Sequence, residues 1–416
     1  MLEKVGGDSL NIFTLHKDII DEYRDYVRSF HLISDERIAS YVDEQLVNRN
    51  VLWPDALIQI NPSYSQQATV EELSQRGDLH PVVAEIFRDK YNHSITLYQH
   101  QIEAIREAHQ HHSYVVTSGT GSGKSLTYLI PIYDAVLKSN PSDPKVRAII
   151  VYPMNALVNS QFEALNRYKK QYKERTGKEC PIVFEKYTGQ ENEEFKTRVQ
   201  QNPPHILLTN YVMLELMLIR PEEHTFVDAA TSGIQFLVMD ELHTYRGRQG
   251  ADVALLIRRL RERCGNPNLL CIGTSATMIA DRSSTAFARR EIVAKFASTI
   301  FGTALEPANI IEESLRRIAQ VPSPTTREDL VRAIQSPIPE TWDQMVSHPL
   351  TAWIEFEFGI EEEGEGKYRR KVPITLNSGA KKLAKDSGLS FEECRDRLHD
   401  FFKRGGTNKS EQENPH

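Results

Sequence analysis

A glycine-rich stretch between an apolar run and a helix-like segment contains the residue types that bind phosphate. Backbone N–H groups of such a turn converge on phosphate oxygens, and the following helix N-terminus adds the positive end of its dipole. Lys124 can reach the β- and γ-phosphates of a nucleotide, and the Ser125 hydroxyl can bind Mg²⁺. We therefore predict a site for ATP and Mg²⁺, although a Gly/Ser turn without a ligand has the same composition. The predicted ligands are Thr120, Gly121, Ser122, Gly123, Lys124 and Ser125.

Two adjacent carboxylates follow the apolar run Phe236–Met239. Asp240 can hold Mg²⁺ through its water shell, and Glu241 can orient and deprotonate the water that attacks a γ-phosphate. A solvated acidic turn after a strand is the alternative interpretation, because a motif this short is weak evidence alone. The predicted catalytic residues are Asp240, Glu241 and Lys124, and the predicted metal ligands are Asp240 and Ser125.

Residues outside these two segments are predicted to sense the nucleotide. Ser275 and Thr277 lie in the segment Gly273-Thr274-Ser275-Ala276-Thr277 after the run Leu269–Ile272, where small hydroxyl residues can bond His243 or Asp240 and relay the state of the nucleotide to bound nucleic acid. A polar loop after a strand is the alternative. Gln101 lies upstream, and its amide has both a donor and an acceptor, which suits the edge of adenine. A glutamine at the start of a helix is the alternative there.

Three more junctions between an apolar run and a helix contain residues that bind phosphates without reading bases. Backbone N–H groups and short polar side chains at helix starts make such contacts in nucleic-acid complexes. Ordinary helix capping uses the same residue types, so it is the alternative at each junction. The predicted nucleic-acid contacts are Pro153, Asn155, Ala156, Gln161, Gly189, Thr209 and Asn210.

The elements that must position these residues alternate along the central part of the chain. Short apolar runs rich in β-branched residues are typical of strands buried on both faces, and helix-like segments separate them. Such alternation predicts an α/β fold with a doubly wound parallel sheet, whose ligands bind at the carboxyl ends of the strands. The runs are Tyr114–Val116, Ala148–Tyr152, Ile182–Phe184, Ile206–Leu208, Phe236–Met239 and Leu269–Ile272.

Three domains are predicted from the change in pattern along the chain. Residues 1–90 show amphipathic helical spacing and are expected to form a helical accessory domain. Residues 91–300 contain the alternating runs, and residues 301–416 form a helical insert or linker region. Within it, residues 361–366 are expected to form an acidic loop. Two helices, Leu376–Lys385 and Phe391–Lys403, favour an αα-hairpin over a helix-turn-helix.

The composition excludes several classes of protein. The chain of 416 residues has 40% hydrophobic and 26% charged residues, as soluble globular proteins do. No apolar run approaches membrane-spanning length, so no membrane partner is expected. A net charge of −7 gives no global basic field, so any nucleic-acid groove must be local. The four cysteines contain no C-x-x-C pair and suit a reducing cytoplasm.

Together these residues resemble the motifs of superfamily 2 helicases over about residues 90–280. Gln101 is similar to the adenine-reading glutamine, the segment from Ser118 to Ser125 to motif I, and the segment from Asp240 to His243 to motif II in its DExH form. The segment from Pro153 to Gln161 resembles motif Ia, Thr209-Asn210 motif Ib, and Ser275-Ala276-Thr277 motif III. Ser118 stands where the strict P-loop pattern has glycine, and a small residue is enough in a helicase-type loop. The resemblance implies a RecA-like P-loop NTPase lobe.

A closer resemblance lies in the segment from Asp240 to Gly247, which reads DELHTYRG, and in the segment from Tyr152 to Leu157. Both are similar to the large bacterial helicases of the Lhr and MrfA type. That likeness implies a DNA partner, either single-stranded or a tailed duplex, and movement 3′→5′. Related large helicases occur in antiphage defence systems.

One part of the helicase pattern is missing from the sequence. After residue 280 there is no Q-x-x-G-R-x-x-R-like motif, which in this class belongs to a second RecA-like lobe with an arginine finger. We expect that lobe in cis or in another subunit. The first hypothesis is therefore the motor lobe of an ATP-dependent DNA helicase or translocase. The second is an ATP- and DNA-binding subunit of a larger complex, in DNA repair or antiphage defence, that does not turn over alone. A P-loop regulator without nucleic acid is weaker, because motifs Ia, Ib and III argue against it.

Overall fold

The chain was analysed as a computed structural model, which describes residues 12–30, 33–45, 55–119, 121–143, 145–221, 233–276, 285–324, 326–364 and 366–405. Two predicted site residues, Thr120 and Thr277, lie outside these ranges. No helix within the described ranges is long and apolar enough to cross a membrane.

Sixteen α-helices and fifteen strands are labelled here in chain order among the described residues. The helices are α1 (Ile12–Ser29), α2 (Glu36–Asp43), α3 (Val70–Gln75), α4 (Pro81–Ile86), α5 (Gln99–His109), α6 (Leu126–Lys138), α7 (Asn155–Thr176), α8 (Glu193–Gln201), α9 (Tyr211–Ile219), α10 (Gly247–Cys264), α11 (Ala286–Phe301), α12 (Arg327–Gln335), α13 (Trp342–Val346), α14 (Pro349–Phe358), α15 (Leu376–Ser387) and α16 (Phe391–Gly405). The strands are β1 (Leu57–Ile58), β2 (Ser63–Tyr64), β3 (Gln66–Thr69), β4 (Thr96–Tyr98), β5 (Tyr114–Thr117), β6 (Ala148–Tyr152), β7 (Phe184–Tyr187), β8 (Ile206–Asn210), β9 (Phe236–Met239), β10 (Leu270–Ser275), β11 (Ile310–Glu312), β12 (Leu315–Arg316), β13 (Ile360–Gly364), β14 (Lys367–Arg370) and β15 (Ile374–Thr375).

Seven parallel strands form one sheet in the order β11-β5-β10-β9-β6-β8-β7. All six predicted apolar runs contribute a strand, and the prediction of a RecA-like doubly wound α/β fold is confirmed. Several details differ from the prediction, since only β6 and β9 have the bounds of their predicted runs. Strand β7 begins at Phe184 rather than at Ile182, and β11 was not predicted. Only two of the three residues of β11 are apolar, so its sequence has too little pattern to indicate a strand.

Both faces of this sheet are covered, which explains why its strands are almost wholly apolar. Side chains of a strand point alternately to opposite faces. In β6, Ile150 and Tyr152 belong to one hydrophobic cluster, whereas Ile149 and Val151 belong to a second cluster on the other face. The two clusters hold the sheet between two layers of helices, so its carboxyl edge is left to carry polar residues.

The chain divides into two compact units whose limits differ from the predicted domains. Residues 64–314 form one unit, and residues 1–63 with residues 315–416 form the other. The first unit begins before residue 91 because helices α3 and α4 contribute Val70 and Val83 to the core of the sheet. It extends past residue 300 because β11 pairs with β5.

The other unit is mainly helical, as predicted, but it also contains short strands. The two predicted helices are present as α15 and α16 and pack against each other, and the Glu393 N–H donates to Ser390 Oγ at 3.2 Å at the start of α16. The acidic segment expected as a loop instead forms a hairpin of β13 with β14. In this hairpin Arg369 Nε donates to Glu361 Oε1 at 2.8 Å. The alternating charges across the two strands explain why this polar sequence forms a ladder.

A glycine in α15 provides a test of the packing in this unit. A methyl group at Gly379 would overlap the ring of Phe358, which is fully buried and has no room to move. We expect Gly379→Ala to lower the free energy of unfolding by about 1–3 kcal/mol, measured by chemical denaturation. Gly364→Ala is the matched control, because nothing lies within 4 Å of a methyl group there. Equal stability of the two variants would show that the Phe358 contact is misplaced.

Candidate functional site

The loop between β5 and α6 encloses its own lysine. Lys124 Nζ donates to the carbonyl oxygens of Ser118 and Gly119, at 3.0 and 3.4 Å. Gly121 and Gly123 have φ values of 78° and 68°, a region that glycine reaches without strain. The loop therefore has the strand–turn–helix context that the sequence motif requires. The ammonium group lies inside the turn, where phosphate oxygens can replace the two carbonyls as its partners.

Two buried residues at the start of α5 contact carbonyl oxygens of the phosphate loop. Gln101 Nε2 donates to the Gly123 carbonyl at 3.0 Å, and its Oε1 accepts from the Tyr98 N–H at 2.8 Å. His100 Nε2 lies 3.0 Å from the Ser122 carbonyl, and burial lowers the pKa of His100. The neutral ring can donate from Nε2 to that carbonyl. The predicted adenine-reading Gln101 is thus bonded to the phosphate loop itself in this structure.

Ser118 has a defined role at the position where the strict pattern has glycine. Its hydroxyl lies 2.6 Å from that of Ser122, and both side chains are buried. This bond closes the turn across its base. The N–H of Gly119 donates to a carboxylate oxygen of Glu313 at 3.0 Å, directly after β11. The Gly119 amide of the loop is therefore bonded to the residue that follows the edge strand.

The two adjacent carboxylates lie at the carboxyl end of β9 and are held by a threonine of β10. Thr274 Oγ1 donates to Asp240 and accepts from the Glu241 N–H at 3.3 Å. Glu241 has φ +50°, in the left-handed region that costs a non-glycine residue about 1 kcal/mol or more. The turn is therefore held in a strained conformation by contacts from the neighbouring strand.

The pKa of Asp240 is raised to about 6, mainly by burial and to a smaller extent by the charge of Glu241. The hydrogen bond from Thr274 and the charge of Lys124 act in the opposite direction. Desolvation disfavours the charged form of a carboxyl group, and a like charge adds to that effect. A cation bound beside this pair would reverse both effects.

The predicted coupling contact is present in the structure. His243 Nδ1 lies 3.1 Å from Ser275 Oγ and 3.2 Å from Glu241 Oε2. That glutamate oxygen is buried and accepts no hydrogen bond from the described residues. The imidazole therefore stands between the acidic pair and the end of β10.

The residues predicted to hold Mg²⁺ fit that ion. Magnesium keeps several waters and takes only one or two carboxylates together with substrate phosphates. No cluster of three acidic, histidine or cysteine ligands exists in the described part of the chain. Ser125 and Asp240 both influence the pKa of the buried Tyr128 hydroxyl, so the two predicted ligands lie near the same residue. Glu241 Oε2 accepts no hydrogen bond from the described residues and lies 3.2 Å from the His243 ring nitrogen, so it can accept from a water of a hydrated cation.

A cavity of about 470 Å³ opens near the carboxyl ends of β6, β7 and β8. Asn155 Oδ1 accepts from Asn210 Nδ2 at 2.6 Å, and Asn210 Oδ1 caps α9 by accepting from the Met213 N–H at 2.7 Å. Four of the predicted nucleic-acid contacts are among its walls. The lining includes Pro153, Met154, Asn155, Thr188, Gly189, Lys196, Asn210, Tyr211, Val212, Met213, Leu216 and Arg220.

The other three predicted nucleic-acid contacts lie elsewhere. Thr209 is buried, and its hydroxyl donates to the Tyr187 carbonyl at 2.6 Å, so it joins the ends of β7 and β8. Gln161 accepts from the Ser125 hydroxyl at 3.2 Å and so faces the phosphate loop. Ala156 is exposed in the first turn of α7.

Comparison with known protein families agrees with this arrangement. The model of the DEAD/DEAH box helicase family matches residues 98–285. These residues form a DEAD/DEAH box helicase domain. The matched span contains all the predicted site residues, from Gln101 to Thr277. Glu313 lies beyond it.

Curated relatives place the domain among ATP-dependent helicases. The chain is 25% identical to the Druantia protein DruE of Escherichia coli, covering 66% of this chain and 21% of DruE. It is 33% identical to the uncharacterized ATP-dependent helicase YprA of Bacillus subtilis, covering 44% of this chain and 23% of YprA. The chain thus spans less than a quarter of the length of either relative. A crystal structure of the helicase MrfA bound to DNA is similar over 64% of this chain and 32% of that chain, with 23% identity and a TM-score of 0.49.

Several residues that contact the site were not singled out from the sequence. Thr274 lies in β10, within the segment whose hydroxyls were predicted to reach His243 or Asp240, and the register of β10 against β9 shows that the Thr274 hydroxyl is the one that reaches Asp240. His100 and Glu313 bond the phosphate loop from distant segments, and no motif indicates them. Lys196 and Arg220 line the cavity from α8 and from the end of α9. Their positive charge is the only sequence signal that could have suggested them.

Lys124 provides the most direct test of the nucleotide site. Because its ammonium group is the cation enclosed by the loop, Lys124→Ala should weaken the binding of Mg²⁺-ATP about 100-fold or more. The measurement is equilibrium titration with a fluorescent ATP analogue. Lys170→Ala is the control, since Lys170 is an exposed lysine of α7. Unchanged affinity in Lys124→Ala, with an intact far-UV spectrum, would rule out the phosphate-loop assignment.

Proposed function

We propose that this chain supplies the ATP-binding lobe of an ATP-dependent DNA helicase or translocase that moves 3′→5′. One observation carries the proposal: the phosphate loop, the acidic pair and the polar cavity all lie at the carboxyl edge of one parallel sheet. Resemblance to the helicases of Lhr and MrfA type supports DNA as the partner and the direction of movement. A cytoplasmic location is part of the same proposal.

Binding of ATP replaces contacts that the loop makes with itself. The ammonium group of Lys124 exchanges the carbonyls of Ser118 and Gly119 for phosphate oxygens. Charge-assisted hydrogen bonds are stronger than those to neutral carbonyls, so the exchange favours the bound state. Ser125 and Asp240 would hold Mg²⁺, which neutralises charge on the β- and γ-phosphates when it is bound.

Hydrolysis requires a base that is aimed at the attacking water. Glu241 takes that role, because its strained backbone sets the direction of a carboxylate oxygen that has no other hydrogen-bond donor among the described residues. His243 contacts Glu241 and Ser275, so it is the residue through which a change at the acidic pair reaches β10. Thr274 positions both carboxylates without touching the substrate.

The cavity at the ends of β6, β7 and β8 binds the phosphates of a nucleic-acid strand. Asn155, Gly189 and Asn210 offer polar groups at its wall, and none of them is arranged to read a base edge. Such contacts give affinity without sequence preference. Binding should be salt-sensitive but weak, because the chain has a net charge of −7 and few cations line the cavity.

The second candidate is an ATP- and DNA-binding subunit of a larger DNA-repair or antiphage defence complex that does not turn over alone. It is favoured by the small number of cations at the phosphate loop. Lys124 is the only lysine or arginine that hydrogen-bonds the loop carbonyls in the described part of the chain. Stabilising the transition state of phosphoryl transfer commonly takes an arginine finger as well. A second RecA-like lobe, in cis or from a partner, would provide it.

Glu241→Gln separates hydrolysis from binding. The amide keeps the shape of the side chain but cannot accept a proton, so ATP affinity should stay within about two-fold while turnover falls about 100-fold or more. The measurement pairs nucleotide titration with single-turnover hydrolysis, using a complex that hydrolyses ATP. Glu262→Gln on α10 is the control. Retained turnover in Glu241→Gln would exclude Glu241 as the base.

A steady-state ATPase assay with and without single-stranded DNA distinguishes the two candidates. The 416-residue chain alone should show little turnover and no separation of a 3′-tailed duplex, because the finger contributes about 10³-fold or more to the rate. Adding a polypeptide with the second lobe should restore DNA-stimulated hydrolysis. Robust unwinding by the chain alone as a monomer would contradict the need for a second lobe.

A further inference from the structure

The turn after β7 directs two consecutive N–H groups at one carboxylate oxygen. The N–H groups of Thr188 and Gly189 donate to Glu191 Oε2 at 2.8 and 2.9 Å. The Thr188 hydroxyl donates to Glu191 Oε1 at 2.7 Å. Gly189 has φ +85°, which lets the two amides converge. Successive backbone N–H groups in such a turn form a concavity that binds anions. Glu191 therefore fills an anion site built by the backbone.

The turn that forms this anion site borders the cavity assigned to nucleic acid. Thr188 and Gly189 are part of its wall, together with Lys196 and Arg220. The turn is fixed to the neighbouring strand end, because Asn210 Nδ2 donates to the Thr188 carbonyl at 3.5 Å. Two amides and two cations at one wall are an environment that favours an anion from outside the chain. The carboxylate of Glu191 is the anion that the chain itself places there.

We propose that Glu191 is a displaceable gate, whose carboxylate occupies the position of one phosphate of a bound strand and leaves when that phosphate binds. This inference rests on the proposed nucleic-acid function. A carboxylate and a phosphodiester both accept hydrogen bonds through negatively charged oxygens, so they compete for the same two amides. Like charges at such short range also repel strongly. Each binding event must therefore break the three hydrogen bonds of Glu191, and release of the strand restores them.

The alternative is that Glu191 only braces the turn and stays in place. The two roles predict opposite results when the charge is removed. Glu191→Gln keeps an oxygen that can accept from both amides, so the turn remains held while the competing charge is lost. If Glu191 is a displaceable gate, Glu191→Gln should bind a nucleic-acid strand more tightly than the unaltered chain. If Glu191 only braces the turn, the affinity of Glu191→Gln should be unchanged or lower.

The test uses the full 416-residue chain and a fluorescein-labelled oligothymidylate, followed by fluorescence anisotropy over a range of KCl concentrations. We expect Glu191→Gln and Glu191→Ala to bind the oligonucleotide about three- to ten-fold more tightly than the unaltered chain. The salt dependence should become steeper in Glu191→Ala, because the freed amides take up a further phosphate. Glu194→Gln is the matched control. It removes the same charge from an exposed residue three positions away and should change affinity less than about two-fold.

The outcomes separate this inference from the function on which it rests. If the unaltered chain binds the oligonucleotide and Glu191→Gln binds it equally well or more weakly, the proposal that Glu191 is a gate is wrong. The proposed binding of nucleic acid is then still supported. If neither chain binds at low salt, both the gate and the proposed function fail. Binding gained only in Glu191→Gln supports the gate strongly. If Glu191→Ala fails to fold, the comparison of Glu191→Gln with the unaltered chain is the deciding test. Glutamine can still accept the hydrogen bonds from the Thr188 and Gly189 amides, so the turn keeps its conformation.

Discussion

Strand β10 is the element on which the nucleotide site depends, because it bonds to two other strands of the site at once. Its register places Ser275 opposite Thr117 of β5 and Gly273 opposite Met239 of β9. At its carboxyl end the Ser275 carbonyl accepts from the Ser118 N–H at 3.1 Å. One residue earlier, Thr274 holds the acidic pair. The phosphate loop and the acidic pair are thus fixed relative to each other by the end of one buried strand. A shift of one residue in β10 would separate them, since it would turn each side chain to the other face.

The anion-binding groups of this unit are satisfied by the chain itself. Lys124 bonds the carbonyls of its own loop, Glu313 accepts from the Gly119 amide of that loop, and Glu191 accepts from two amides of the turn after β7. A buried donor without a partner costs about 1–3 kcal/mol, so these internal contacts keep the site stable. Binding a phosphate is therefore an exchange of partners. The affinity of the site is set by the difference between the phosphate and the internal group, which lets evolution adjust affinity by changing Glu191 or Glu313 alone.

Much of the fold was predictable because it follows from local pattern. The strands over Ala148–Tyr152 and Phe236–Met239 have the predicted bounds, since their apolar runs are unbroken. What the sequence could not indicate depends on distant partners. Strand β11 forms only because β5 offers it an edge, nearly 200 residues earlier in the chain. Likewise, Gln101 suits adenine by its chemistry, but its position against Gly123 follows from the packing of α5.

The sequence motifs therefore indicate where the nucleotide site lies, whereas strand register and side-chain packing determine the contacts within it. The charges of the site also indicate that positive charge must be added when a nucleotide binds. Asp240 and Glu241 stand side by side where burial raises the pKa of Asp240 to about 6, and Glu313 adds a carboxylate at the loop. Against them, the loop contains the single ammonium group of Lys124 among its described residues. A triphosphate brings further negative charge into this environment, where the interactions of charges are poorly screened. The geometry thus suits ATP only together with added positive charge, and a hydrated cation at the acidic pair meets that need first because the carboxylates are already aligned for it.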